Sequence, residues 1–439
     1  MPGQLGWKRG SCVRSFGKCL LALAAPFLFG ASAAANQWKW EEAVREAVNW
    51  HPSIVESADE LRARAEQITI AKAGYHPQIS AGFGSTYDNL SRSRWRPRAN
   101  LSVSQMLFDF GKVSGSVAAA RAGTRVGQAE MLLAIDTLIR DTSRAVIEIQ
   151  RDAALRQVAL DQLASIRGIN ELVDHRYRGG ASTRSDALQA KARVEAAEVT
   201  LQEIEAEQRR WSGNLAFLTG RTDAPGIAVG APRQLEGACT GGEPDWTRVP
   251  AVLRARAQRD EALADLARAR AEGLPTISLS AGGGADVHDP FSRRADYNVG
   301  INVTSALYSG GARGARTRGA AHALRAAEAA EAGVRNEVNR QLVEAREQVD
   351  ALERVLETLA ARQASMAETG RLYRLQYLDM GTRTLVDLLN AEQELHQIRF
   401  DLVNSRYDKW RLESECLFYT GVQRDIFGLS GATVRGVTL

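Results

Sequence analysis

The sequence predicts a mostly helical chain carrying a membrane β-barrel, built as two tandem repeats of helix, strand, strand, very long helix and helix. Three observations support this class. The same landmarks occur twice, about 200 residues apart; four segments of about ten residues alternate apolar with small polar side chains; and two stretches of some sixty residues contain no proline.

The chain has 439 residues, 44% of them hydrophobic, enough for a sizeable core. Residues 1–35 read as a secretory leader: Lys8, Arg9, Arg14 and Lys18 precede the apolar run CLLALAAPFLF (19–29), and Ala33 or Ala35 offers the cleavage position. The apolar run is shorter than the ~20 residues a membrane helix needs. Removing the leader takes four Lys and Arg and no acids, so the remainder carries 52 charges of each sign. A neutral chain lacks the basic excess of a nucleic-acid binder. Two cysteines remain, Cys239 and Cys416; sequence alone does not bring them together.

The first repeat (36–220) opens on a helical segment ending near Pro77, followed by strands at about 77–88 and 98–108. In the first strand Ile79, Ala81 and Phe83 alternate with Ser80, Gly82 and Gly84; in the second Leu101, Val103 and Leu107 alternate with Asn100, Ser102 and Ser104. A long helix over about 113–177 then leads to a turn and a helix over 185–220. Residues 221–245, rich in Gly, Pro and Ala, read as a linker.

The second repeat (246–421) restates this order, with strands at about 275–287 and 296–308, a long helix at about 313–377 and a helix at 384–420. Residues 422–439 are left as a tail. VSQMLFDFGK (103–112) aligns with VTSALYSGGA (303–312), which places Ser309 on Asp109. The Asp-Phe-Gly triplet is therefore not a kinase metal site, and the glycine loop, strand lysine and His-Arg-Asp loop that a kinase requires are missing. No H-E-x-x-H, G-x-S-x-G or phosphate loop occurs either, so the chain reads as no enzyme, with no cofactor and no metal.

Alternating strands suit a half-buried sheet in a soluble domain as well as a barrel with a wet lumen. The helices separate the two. At 1.5 Å per residue each long segment spans roughly 90 Å, more than a compact domain uses. Val338, Leu342, Ala345, Val349, Leu352, Leu356 and Leu359 form a seam of period 3.5 in the second, as Leu132, Ile135, Ile139, Val146 and Ile149 do in the first. Off-seam residues such as Leu155, Val158, Ile166 and Ile169 suggest a second neighbour. Four strands cannot close a barrel, but three copies would supply 12.

These features resemble the TolC-like outer-membrane factors, the exit ducts of tripartite efflux pumps and type I secretion systems. The repeats, the strand-to-helix glycines and MGTRTLVDLLNAEQEL (380–395) carry the resemblance. It implies a homotrimer with a 12-stranded barrel in outer-membrane lipid and a long α-helical periplasmic tunnel. Its partners would be a periplasmic adaptor and an inner-membrane ABC transporter or RND pump. Gly180 with Ala181, and Gly381 with Thr382, fall on the tip turns where adaptors dock. Arg383 falls on the arginine linking neighbouring coils, Asp186 on its acidic counterpart, and Asp387 on the first of two entrance aspartates. Asn390 replaces the second, and Tyr377 is displaced by one position from the family tyrosine. The N-terminal segment shows no lipidation box, which favours type I secretion over multidrug efflux. A periplasmic coiled-coil scaffold without a pore is the alternative from another class.

Overall fold

The computed structural model describes residues 37–438 apart from 89–93, 224, 232, 234 and 288–295. The leader and the tips of both strand hairpins, at 89–93 and 288–294, lie outside the described residues.

Helix α1 (Trp40–Trp50) buries Trp40, Ala43, Val44, Ala47 and Val48, the spacing of one helical face. Helix α2 (Pro52–Lys72) starts with proline at its first position, where the missing N–H has no intrahelical partner in any case. Strands β1 (Gln78–Asp88) and β2 (Arg94–Phe108) form a hairpin, and β3 (Thr276–Asp286) with β4 (Asp296–Thr304) forms its repeat. The β2–β3 pairing joins them into one antiparallel sheet ordered β1-β2-β3-β4. The register keeps one face apolar right across it: Ile79 lies opposite Val103, Val103 opposite Ala281 and Ala281 opposite Val299. Ser80 and Ser102 share a 2.7 Å hydrogen bond on the other face. Strands β1 and β4 each pair on one side only.

Two strand boundaries differ from the sequence reading. Strand β4 ends at Thr304 rather than 308, because its partner β3 begins at Thr276, directly after Pro275, whose nitrogen cannot donate to the ladder. Strand β2 begins at Arg94, where it still pairs with Asp88.

Helices α3 (Lys112–Arg178) and α6 (Ala312–Leu375) have 67 and 64 residues and span roughly 100 Å each. At the start of α3 the Asp109 carboxylate accepts hydrogen bonds from the N–H groups of Gly111 (3.0 Å) and Val113 (2.6 Å). The aspartate of the kinase-like triplet is thus a helix cap. Helices α4 (Arg184–Thr219), α5 (Pro250–Ala271) and α7 (Leu385–Thr420) complete the layer. Near the strands the neighbours run α2-α3-α5-α6; near the turns α4 and α7 flank α3, and α7 also packs on α6. The short helices meet end to end, Gly220 after α4 against Trp50 and Gly421 after α7 against the Arg248 carbonyl.

The linker and tail are more ordered than their composition suggested. Trp38 forms a bridge to Ile227, and Leu235 and Cys239 are buried. A disulfide joins Cys239 to Cys416 in α7. The tail forms a short helical turn, α8 (Gln423–Ile426), and a two-residue hairpin of β5 (Thr433–Val434) and β6 (Val437–Thr438). Phe427, Leu429 and Val434 join the cluster of α1 and α3, and Arg424 reaches the fully buried Asp136 of α3 at 2.5 Å. The partners of these residues lie far away in sequence, so no local pattern announced the layer.

Candidate functional site at the two helical turns

The turns after α3 and α6 lie side by side, joined by a small core of Ile169, Val173, Ala190, Tyr377, Leu385, Leu388 and Leu389. The first turn closes with Ala181 N–H donating to the Arg176 carbonyl at 2.8 Å, and Gly180 takes φ +74°. The second is built differently. Helix α6 ends at Leu375, two residues before the expected limit, and passes into a π-helical turn over Gln376–Met380. Gly381 takes φ +61° and Thr382 N–H donates to the Gln376 carbonyl at 3.2 Å. Both glycines occupy the left-handed region, where a side chain is strained.

Asp186 and Asp387 have the same local role. Each is the third residue of a helix whose cap is a threonine, and each pair bonds reciprocally. Thr183 N–H donates to Asp186 at 3.1 Å and Thr384 N–H to Asp387 at 3.2 Å. These backbone donors, then the threonine hydroxyls, hold both carboxyls below their ordinary range. The sequence signal was present in TRSD (183–186) and TLVD (384–387), the pattern of a capping box.

Arg383 does not reach Asp186 within the chain. Its Nε donates to Gln376 Oε1 at 3.2 Å and its guanidinium lies 4.5 Å from the centre of the Tyr373 ring. Asp186 instead accepts from Thr183 and from the Ser182 hydroxyl at 3.0 Å. Tyr377 is buried, and the Arg176 guanidinium sits 4.9 Å from its ring centre while donating to its carbonyl at 3.4 Å. The equivalent Tyr177 is exposed. Asn390 is exposed one helical turn beyond Asp387.

A second polar cluster, missed in the sequence, lies further up the same helices. The Glu392 carboxylate accepts from Ser165 of α3 at 2.9 Å and from Arg374 of α6 at 3.2 Å, with His396 Nε2 3.7 Å away. Burial and nearby Arg399 hold the buried His396 below its ordinary pKa. Three helices thus share one carboxylate. Sequence reading had no means to see it, because Ser165 and Glu392 are 227 positions apart. No group of three or more metal-ligating side chains occurs among the described residues.

Comparison with known proteins agrees with this geometry. The model of the family described as outer membrane efflux protein matches residues 43–221 and 247–413. The chain is 28% identical to the alkaline protease secretion protein AprF of Pseudomonas aeruginosa, over 74% of this chain and 69% of that protein. It is 23% identical to the outer membrane efflux protein BepC of Brucella suis, over 79% and 77%. Its fold is similar to that of the outer membrane protein VceC of Vibrio cholerae, with a TM-score of 0.77 at 20% identity over 87% and 96% of the two chains. The family match takes in most of both repeats, including each turn and the strands between: this chain belongs to the outer membrane efflux protein family, is located in the outer membrane, and is a channel component rather than an enzyme.

Proposed function

We propose that the chain is one protomer of a homotrimeric exit duct for type I protein secretion, served by a periplasmic adaptor and an inner-membrane ABC transporter. The observation that carries the duct reading is the four-stranded sheet. Neither edge has a partner strand among the described residues, and the apolar face is bare, with Ile79 71%, Phe83 70% and Val299 71% exposed. In lipid, every backbone group at an edge needs a partner, so the sheet must be closed by other copies. Family membership removes the scaffold without a pore. The likeness to AprF supports secretion; the likeness to BepC supports the second reading, a multidrug efflux outlet served by an RND pump.

In this reading the turns at Gly180, Ala181, Gly381 and Thr382 receive the adaptor, and Asp387 with Asn390 lines the entrance. Arg383 restrains the closed tip by exchanging Gln376 for an acidic group on a neighbouring copy, Asp186 being the first candidate. Tyr377 anchors the second turn against the first.

Deleting the gene in its host tests the assignment. Secretion predicts that one or more extracellular proteins disappear while drug susceptibility is unchanged. Raised susceptibility with an intact secretome would install the efflux reading. A purified particle in detergent that is not three chains by mass would overturn the trimer.

A further inference from the structure

We infer that the helix ends beneath the sheet form a docking surface for anionic phospholipid headgroups of the leaflet facing the helices. The first observation is a polarised charge distribution in a chain that is neutral once its leader is set aside. The thirteen residues on the helix side of each strand end (65–77, 109–121, 263–275 and 309–321) hold eight Lys and Arg against four Asp and Glu. The equivalent windows beside the two turns (167–179, 183–195, 368–380 and 384–396) hold eight against nine. The excess therefore belongs to the membrane end.

Two of the four acids there are already engaged. Asp109 caps α3, and Asp265 pairs with Arg268 at 2.9 Å. Arg121, Arg270, Arg313, Arg316 and Arg318 make no ion pair among the described residues. At the same level Tyr75, Phe108, Phe110 and Tyr308 are exposed, the residue type that settles at the boundary of a bilayer.

Arg121 and Arg270 share an open trough of about 610 Å³ between α3 and α5, floored by Ala118, Leu263 and Ala267. At its far end Arg125 meets Asp260 at 3.5 Å, so the cations free to take a phosphate lie toward the sheet. The direction of the trough follows from helix geometry. Arg125 precedes Ser143 by 18 residues, five α-helical turns, and so shares its face. Ser143 accepts a 3.0 Å hydrogen bond from Trp40 of α1. In the proposed trimeric duct, a tube of these helices, the layer of α1, linker and tail would obstruct the bore, which places it on the outer surface. The trough opens on that side, below the strands, where the headgroups of the nearer leaflet lie.

The test uses the full chain, folded in detergent and presented to vesicles of phosphatidylcholine alone or phosphatidylcholine with phosphatidylglycerol. Wild type should favour the anionic vesicles, less so as salt rises. Arg121→Gln with Arg270→Gln should lose roughly thirtyfold of that preference, each of the two cations contributing about fivefold beside an anionic surface. Arg178→Gln with Arg184→Gln, which removes the same charge near the turns, should lose none. The proposal is overturned if wild type shows no preference or if the control loses as much. It is equally overturned if the trough variant keeps its lipid preference and instead releases an acidic periplasmic protein.

Discussion

Helices α3 and α6 hold equivalent places in the two repeats and have nearly equal length, yet their surroundings are opposite. Helix α3 buries 27 residues and α6 only six. The difference comes from position. Helix α3 lies between α2 and α5 near the strands and between α4 and α7 near the turns, whereas α6 has neighbours on one side only. The other side carries exposed apolar residues, Val343 at 46% and Val355 at 43% among them. Exposed apolar side chains over the Val343–Leu375 half of α6 are costly in water, and in the proposed trimer they are where another copy would pack. Duplication supplied two equal helices, and only one of them finds its partners within the chain.

The comparison breaks most visibly at assembly. Val343→Asp with Val355→Asp should leave the helical content unchanged, because both side chains face away from the α6 core of Val338, Leu342, Ala345 and Val349. The mass of the particle in detergent should fall from three chains to one. The same change at Ile139 of α3, fully buried, should prevent folding altogether. Trimers that survive both α6 substitutions would show that this flank lines the bore rather than the contact between copies.

The next effect lies inside α3. Asp136 is fully buried, whereas Asn336, 25 residues after the starting glycine of its own helix just as Asp136 is, is exposed. The two tail residues Arg424 and Gln423 hold Asp136, through its carboxylate at 2.5 Å and its carbonyl at 2.7 Å. Arg424→Ala leaves a buried carboxylate alone and should cost about 3–5 kcal/mol, read as a shifted denaturant midpoint. Asp136→Asn should cost much less, since Arg424 keeps the Arg248 carbonyl at 3.0 Å. Burial pushes the Asp136 carboxyl up to about 6, against the pull of Arg424. A raised folded pKa gives stability that is complete below the ordinary value of 3.8 and is lost as pH rises through about 6. Stability measured across that window should fall in wild type relative to Asp136→Asn, and parallel curves would show that the carboxylate is solvated after all.

The same contrast explains what sequence could show. The faces of β1 to β4 were legible because alternation is local and each strand obeys it alone. The seam of α6 was legible for the same reason: Val338 packs on α5 and Leu342, Ala345 and Val349 on α7, along one side of the helix, and contact on one side leaves one periodicity. Helix α3 was harder, since a helix packed on several sides shows apolar residues at many phases. The layer of linker and tail was illegible. Its bonds, Trp38 with Ile227, Cys239 with Cys416 and Arg424 with Asp136, join residues whose separation no local pattern records. At the turns, resemblance drew attention to Asp186 and Asp387 as charges, while their immediate bonding is that of helix caps. Arg176 against Tyr377 and Ser165 against Glu392 had no signal at all.

The smallest effect separates these two aspartates. In the folded chain both are held low by the same Thr-to-Asp cap, so each cap is intact above the ordinary carboxylate range and weakens as pH falls through the depressed value. Asp186 therefore serves as an internal control for Asp387. If three copies of Asp387 ring the entrance, their mutual repulsion raises its titration above that of Asp186, although the local bonds match. A trivalent cation would relieve that repulsion and block current. Single-channel recordings should show block lost in Asp387→Asn, retained in Asp186→Asn and strengthened in Asn390→Asp, which restores a second acid one turn along the same helix. In wild type the block should fade on acidification at a pH above that at which the Asp186 cap weakens. Equal loss of block in the two Asp→Asn variants would mean that the carboxylates act only as caps, and that the entrance charge lies elsewhere on the turns.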